Sequence, residues 1–196
     1  MNERYKLKYN RLLDILGDVA ACADGKLILV GGTALALFYL KHRLSIDLDF
    51  IPKIGDEVKL KDEIKGCLTK KGYRTIRGAY LNQFVIQFED TSIKIELFSS
   101  GYKIKKINAF FAGNVKIPVA SLDDLLELKK RIYAERKEAR DLFDIIAILD
   151  KTKKGFNLAG QLIEQYGRPV NIEEMEQLAI DARIQRKFKS VVGDVP

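Results

Sequence analysis

Apolar residues recur at helical spacing near the start of the chain. Leu12, Leu13, Leu16, Val19 and Ala20 predict a helix over about 4–22, ended by Asp24-Gly25. Lys26 to Val30 then reads as a short buried strand. Gly31-Gly32 forces a tight turn, and Thr33 to Leu40 fits a second helix. Ile46 to Ile51 alternates, with Ile46, Leu48 and Phe50 on one side and Asp47, Asp49 and Ile51 on the other. A polar helix over about 57–71 closes at Gly72. Strands are predicted at Tyr73–Ile76, Gln83–Glu89, Ser92–Phe98 and Val115–Pro118, with Asp90-Thr91 turning a hairpin.

From Ser121 the period changes. Ser121 with Asp124 resembles a capping box, Asp standing in for Glu or Gln. Helical spacing follows through 121–134, 137–150, 157–166 and 172–190. The pattern predicts an α/β (α+β) chain, with an α/β part over 1–119 and a helical region, 120–196, packed upon it.

Composition narrows the function classes. Of 196 residues, 47% are apolar, enough for a real core. The net charge of +7 favours a polyanionic partner such as nucleotide or RNA. Cys22 and Cys67 stand 45 positions apart with no second ligand pair, which excludes a zinc cluster and a disulfide framework; both read as buried apolar positions. The charged start predicts no secretory signal. The longest uncharged run, Leu27 to Leu40, is 14 residues, short of the roughly 20 that cross a bilayer. The expected setting is cytosolic, with no membrane partner.

The densest chemical signal is Gly31-Gly32-Thr33 followed by Asp47-Leu48-Asp49. Strand residues two apart share a face, their Cα atoms about 6.6 Å apart. Two carboxylates so placed can converge on one Mg²⁺ or bracket two ions about 3.5–4 Å apart. A glycine pair opening a helix offers free backbone N–H groups and a positive dipole end to phosphate. Arg43 and Ser45 can add a guanidinium and a hydroxyl. A third carboxylate is wanted near the acceptor hydroxyl, and Glu96 is the candidate, although Lys94 and Glu96 also fit the polar face of a strand.

Further on, one continuous helix would align Arg136 and Arg140 with Lys129 as a basic stripe. Lys103, Lys105, Lys106 and Lys151, Lys153, Lys154 form basic clusters in predicted loops. His42, at a helix end, reads as a surface or capping residue.

The stretch from Leu29 to Leu37, with Arg43-Leu44-Ser45-Ile46-Asp47-Leu48-Asp49-Phe50, resembles the nucleotidyltransferase family of AbiEii/AbiGii toxins, which carries a G-G-T/S turn and an R-x-S-x-D-x-D strand. Lys129, Arg136, Arg140, Asp141 and Asp144 fit the family's K-x6-R-x3-R-D-x2-D pattern. The resemblance implies a minimal polymerase-β-like nucleotidyltransferase fold. It also implies Mg²⁺-dependent transfer of a nucleoside monophosphate from an NTP to an acceptor, typically tRNA, by a toxin with a cognate antitoxin. Carried over, Asp47 and Asp49 become metal ligands, and Gly31, Gly32 and Thr33 the phosphate turn. Ser45 and Arg43 line the pocket, Lys129 contacts the triphosphate, and Asp141 is the last motif's acidic residue. Glu96 stands where the family more often has Asp. Two other readings stay open: a non-catalytic nucleotide-, RNA- or protein-binding module of this fold, and nucleotidylation of a small molecule or protein.

Overall fold

The computed structural model describes residues 3–99 and 101–193. The elements in chain order are α1 (Glu3–Ala23), β1 (Leu27–Val30), α2 (Gly31–Ala34) running into a π-helical segment (Leu35–Leu40), β2 (Leu48–Pro52), α3 (Glu57–Lys70), β3 (Arg74–Arg77), β4 (Gln83–Gln87), β5 (Ser92–Leu97), β6 (Ile107–Ala112), β7 (Val115–Ala120), α4 (Leu122–Arg136), α5 (Ala139–Lys151), α6 (Asn157–Tyr166), α7 (Ile172–Leu178) and α8 (Ala182–Val192). The strands form one mixed sheet in the order β3-β4-β5-β2-β1-β7-β6.

The centre of the sheet fixes the site. β1 runs antiparallel to β2, with Val30 opposite Asp49; β5 runs parallel to β2, with Glu96 opposite Asp49. Partners in register carry their side chains on one face. The end of β1, the start of β2 and the end of β5 thus converge at one corner. A single cluster of buried apolar residues runs from Leu12 on α1 to Val192 on α8, so the C-terminal helices share the core of the α/β part.

Several elements differ from the pattern. β6 was not anticipated: on this edge strand Ile107, Ala109 and Phe111 are exposed, so its apolar positions face outward and lose the usual alternation signal. The supposed helix 172–190 is two helices. Between them, the backbone pairs with the chain after the π-helical segment: Leu44 N–H donates to Leu178 O (2.8 Å) and Ile180 N–H to His42 O (2.9 Å). Nor does one helix span 129–140. Lys137 adopts φ 53°, and Ala139 N–H and Val170 O bond across the break (2.8 Å). Leu13, on α1, is exposed rather than part of the buried stripe.

The cysteine reading is corrected as well. Cys22 and Cys67 are half-buried and joined by a disulfide that ties α1 to α3. The spacing excluded a multi-bridge framework but carried no information on whether two helices bring one pair together. Closing a 45-residue separation constrains the unfolded chain, so Cys22→Ser, or reduction, is expected to lower stability by about 2–4 kcal/mol in urea titrations. Equal midpoints with and without reductant would show that the two thiols are free in solution.

Candidate active site

A cleft of about 260 Å³ opens at that convergent corner, lined among others by Gly31, Gly32, Asp47, Asp49, Lys94 and Glu96. Two of the glycines are required by geometry. Gly31 has φ +70°, a conformation costly for other residues, and a Cβ there would lie 2.5 Å from Asp49 Oδ2. A Cβ on Gly32 would lie 2.2 Å from Arg43 Nη2 and 2.9 Å from Ser45 Oγ. The corner therefore brings backbone amides, a carboxylate and a guanidinium within contact, and no side-chain cap covers the helix start at Val30. Gly31→Ala is expected to cost about 1–2 kcal/mol through φ alone and to push the Asp49 carboxylate aside. A thermal melt and a nucleotide-binding titration of this variant check both effects; wild-type values in both would contradict the close packing.

Asp47 lies in a bend just before β2 rather than within the strand. The cause is Thr33: buried on α2, it donates through Oγ1 to the carbonyl of Asp47 and shares a hydrogen bond with Ser45 Oγ (2.8 Å). Thr33 is thus the tie that fixes the acidic bend against the glycine turn, and it does not line the cleft. Ser45 does line it.

The structure brings Glu96 beside Asp49, as a third carboxylate requires. Lysines accompany the acids. Lys94 Nζ is 3.2 Å from Glu96 Oε2 and 3.9 Å from Asp47 Oδ2, and Lys8 Nζ on α1 is 3.3 Å from Asp47 Oδ1. Burial pushes the Asp49 carboxyl above its ordinary pKa; Lys94 opposes this, and the negative charges of Asp47 and Glu96 add to it. Burial would lower the Lys94 pKa, but Asp49, Asp47 and Glu96 outweigh it and the ammonium titrates higher than usual. These donors are all oxygens, the set a hard divalent cation takes, and Asp49 sits where positive charge would relieve it. Among the described residues, however, no three His, Cys, Asp or Glu side chains are already gathered into a cage.

Behind the cleft lies a buried ionic network. Asp144, fully buried on α5, accepts from Arg43 Nε (2.6 Å) and Nη2 (2.8 Å), meets Lys129 Nζ at 2.7 Å, and takes the His42 Nε2 hydrogen bond at 2.7 Å. Asp141, equally buried, binds Lys129 Nζ (2.7 Å) and Arg136 Nε (2.7 Å). Burial alone would raise both carboxyls. The cations win: Arg43 and Lys129 hold Asp144 well below the ordinary range, and Lys129 and Arg136 lower Asp141.

Several sequence expectations change here. Lys129 borders the cleft, but its ammonium is engaged by two carboxylates rather than facing a phosphate freely. Arg43 packs beneath Gly32 and grips Asp144, so it braces the glycine corner. Asp141 lies under the cleft, not in it. His42 is buried, not a surface cap. Asp124, the capping-box acid, accepts from Ser121 Oγ (2.7 Å) and from the amides of Lys105 and Lys106 (3.0 Å each), which anchors a segment read as a free basic loop. The sequence pattern missed Lys94 and Lys8 as partners of the acids. Lys94 was legible as sharing a strand face with Glu96; Lys8 had no signal, since only the packing of α1 brings it there.

A glycine turn opening a helix, a D-x-D entering the neighbouring strand and a carboxylate from the next strand thus meet at one corner of a nucleotidyltransferase fold. The chain belongs to the nucleotidyl transferase AbiEii toxin family of type IV toxin–antitoxin systems, matched over residues 14–196. An antitoxin counterpart and a nucleotide substrate accompany that family. Comparison with curated proteins finds no match. Among solved structures, an H. pylori protein superposes with TM-score 0.60 at 17% identity, covering 98% of this chain and 91% of that one. JHP933 from Helicobacter pylori gives 0.59 at 18% identity with the same coverage. An antigenic nucleotidyltransferase-like protein from Paracoccidioides brasiliensis gives 0.57 at 16%, covering 88% and 95%. At these identities the likeness is one of fold. Among the described residues no helix is long and apolar enough to cross a membrane.

Proposed function

We propose that this nucleotidyltransferase moves a nucleoside monophosphate from an NTP to an RNA acceptor, tRNA in the first instance, and uses Mg²⁺ to do so. The observation that carries the reading is the contact between the glycine corner and the acids: Gly31 lies so close to Asp49 that only hydrogen fits between them. Phosphate oxygens held by amides at that corner would lie beside the carboxylates that hold a cation.

Asp47 and Asp49 are the ligands that would hold the ion, with Glu96 completing the carboxylate set. When bound, Mg²⁺ supplies positive charge to the triphosphate and to the oxygens that gain charge during transfer. The amides of Gly31 and Gly32 orient the phosphate chain. Arg43, clamped by Asp144, keeps that turn from relaxing, and Lys129 holds α4 and α5 at the cleft wall. Arg140, also on the wall, offers charge to an RNA backbone, in keeping with the net +7, whereas Arg136 is engaged by Asp141.

One observation favours a second reading, a non-catalytic binding module: Asp47 and Glu96 already have lysine partners, and the three carboxylates form no ready cage. Incubating the protein with each α-labelled NTP and total RNA separates the two. Label in RNA of tRNA size supports transfer to tRNA. Label in protein or small molecules redirects the acceptor, and retention of NTP without transfer supports the binding module.

A further inference from the structure

The acidic corner carries a cation of its own. Lys94 precedes Glu96 by two residues on β5, so both side chains leave the strand on one face. Its ammonium is 3.2 Å from Glu96 and 3.9 Å from Asp47, while Asp49 is the register partner of Glu96 on the adjoining strand. Lys8 reaches only Asp47, from its far oxygen. Lys94 is therefore the one group among the described lysines that links the acidic bend before β2 to the carboxylate on β5.

We infer that Lys94 is a built-in counter-ion: hydrogen-bonded to Glu96 and ion-paired with Asp47, it stands where a divalent cation would sit among these carboxylates, and the cation must displace it. This rests on the metal reading proposed above. Three carboxylates crowded in a half-buried cleft repel one another, and an ammonium is the cheapest remedy a chain can supply without a metal. A lysine is suited to leaving again, being a point charge on a flexible four-carbon stem, and the Lys94 side chain keeps 36% of its surface exposed. An ammonium and a divalent cation at the same carboxylates repel each other, so binding of the ion is weakened while the ammonium stays. An incoming triphosphate changes this balance, since its oxygens offer the displaced ammonium a new partner. Lys94 thereby couples cation binding to nucleotide binding and weakens metal loading by the nucleotide-free protein.

The test is a titration of the full chain with Mn²⁺ and no nucleotide, followed by the electron paramagnetic resonance of free Mn²⁺. It compares wild type, Lys94→Gln, Lys94→Arg and Asp49→Asn. Lys94→Gln is expected to bind about tenfold more tightly than wild type, while Lys94→Arg, which keeps the charge, stays within about twofold of it. In chelator Lys94→Gln is expected to melt below wild type and to gain more from added Mn²⁺. Equal or weaker Mn²⁺ binding by a folded Lys94→Gln, with wild type binding and Asp49→Asn not, would overturn the counter-ion and leave the metal site standing. No Mn²⁺ binding by any variant, or undiminished binding by Asp49→Asn, would overturn both.

Discussion

Asp49→Asn is expected to lower nucleotide transfer by about 10³-fold or more while leaving the melting temperature at or slightly above the wild-type value. The substitution keeps the shape and removes one negative charge. In most buried positions that loss would destabilise, because the charge is paired. Here burial, with the neighbouring Asp47 and Glu96, pushes the Asp49 carboxyl toward its neutral form against the opposing charges of Lys94 and Lys129. Folding gains nothing from that charge; catalysis needs it. Comparing initial rates of labelled-nucleotide transfer with thermal melts separates the two effects. A wild-type rate would remove Asp49 from the chemistry, and a large drop in melting temperature would show that the carboxylate is structural.

The opposite profile is expected for Asp144→Asn. This carboxylate lies fully buried between Arg43, Lys129 and His42, and neutralising it leaves two cations without their shared partner. Breaking a buried pair in this way costs about 3–5 kcal/mol, a large part of a typical domain's stability. Activity should fall too, because Arg43 no longer braces the turn at Gly32. The pH dependence has the same origin. The folded-state pKa of Asp144 is well below the unfolded value of about 3.9, so its contribution is complete above that value and disappears as pH falls toward the folded pKa. His42 acts in the same direction at higher pH. Burial lowers its pKa, so the unfolded chain takes up the proton first and stability declines as pH falls below about 6.5. Urea titrations from pH 7 down to pH 3 should show a steeper acid limb for wild type than for Asp144→Asn. Parallel limbs would mean that the network does not control acid stability.

Much of the fold could be read from periodicity alone, because β1, β2, β4 and β5 are central strands whose buried faces demand Val, Ile, Leu and Phe. β6 escaped notice since an edge strand need bury only one side, and here its exposed side carries Ile107 and Phe111. The breaks at Lys137 and Ala179–Asp181 were invisible for a different reason: neither holds Gly or Pro, and each is stabilised by backbone partners more than 30 residues away. The acids and glycines of the site were legible because each has a local geometric signature. The pairing of Glu96 with Asp49 needed the sheet register. Lys129, Arg43 and Asp141 were read as cleft groups because a charged residue in sequence gives no sign of whether its partner is a ligand or another side chain. One clue was available: Asp141 and Asp144 lie on α5 among Leu142, Phe143, Ile145 and Ile146, a helix apolar on nearly every side. Two carboxylates on such a helix imply buried cations to meet them.

The central claim is that a divalent cation and a nucleotide's phosphates share the corner between the glycine turn and the acids. Crystals grown with Mn²⁺ and a non-hydrolysable NTP test it most directly through the anomalous signal of the metal. The account predicts a peak in direct contact, about 2.0–2.2 Å, with oxygens of Asp47 and Asp49, and triphosphate density against the amides of Gly31 and Gly32. A peak bound elsewhere, or a nucleotide seated away from the glycine turn with Lys94 still bridging Asp47 and Glu96, would contradict it.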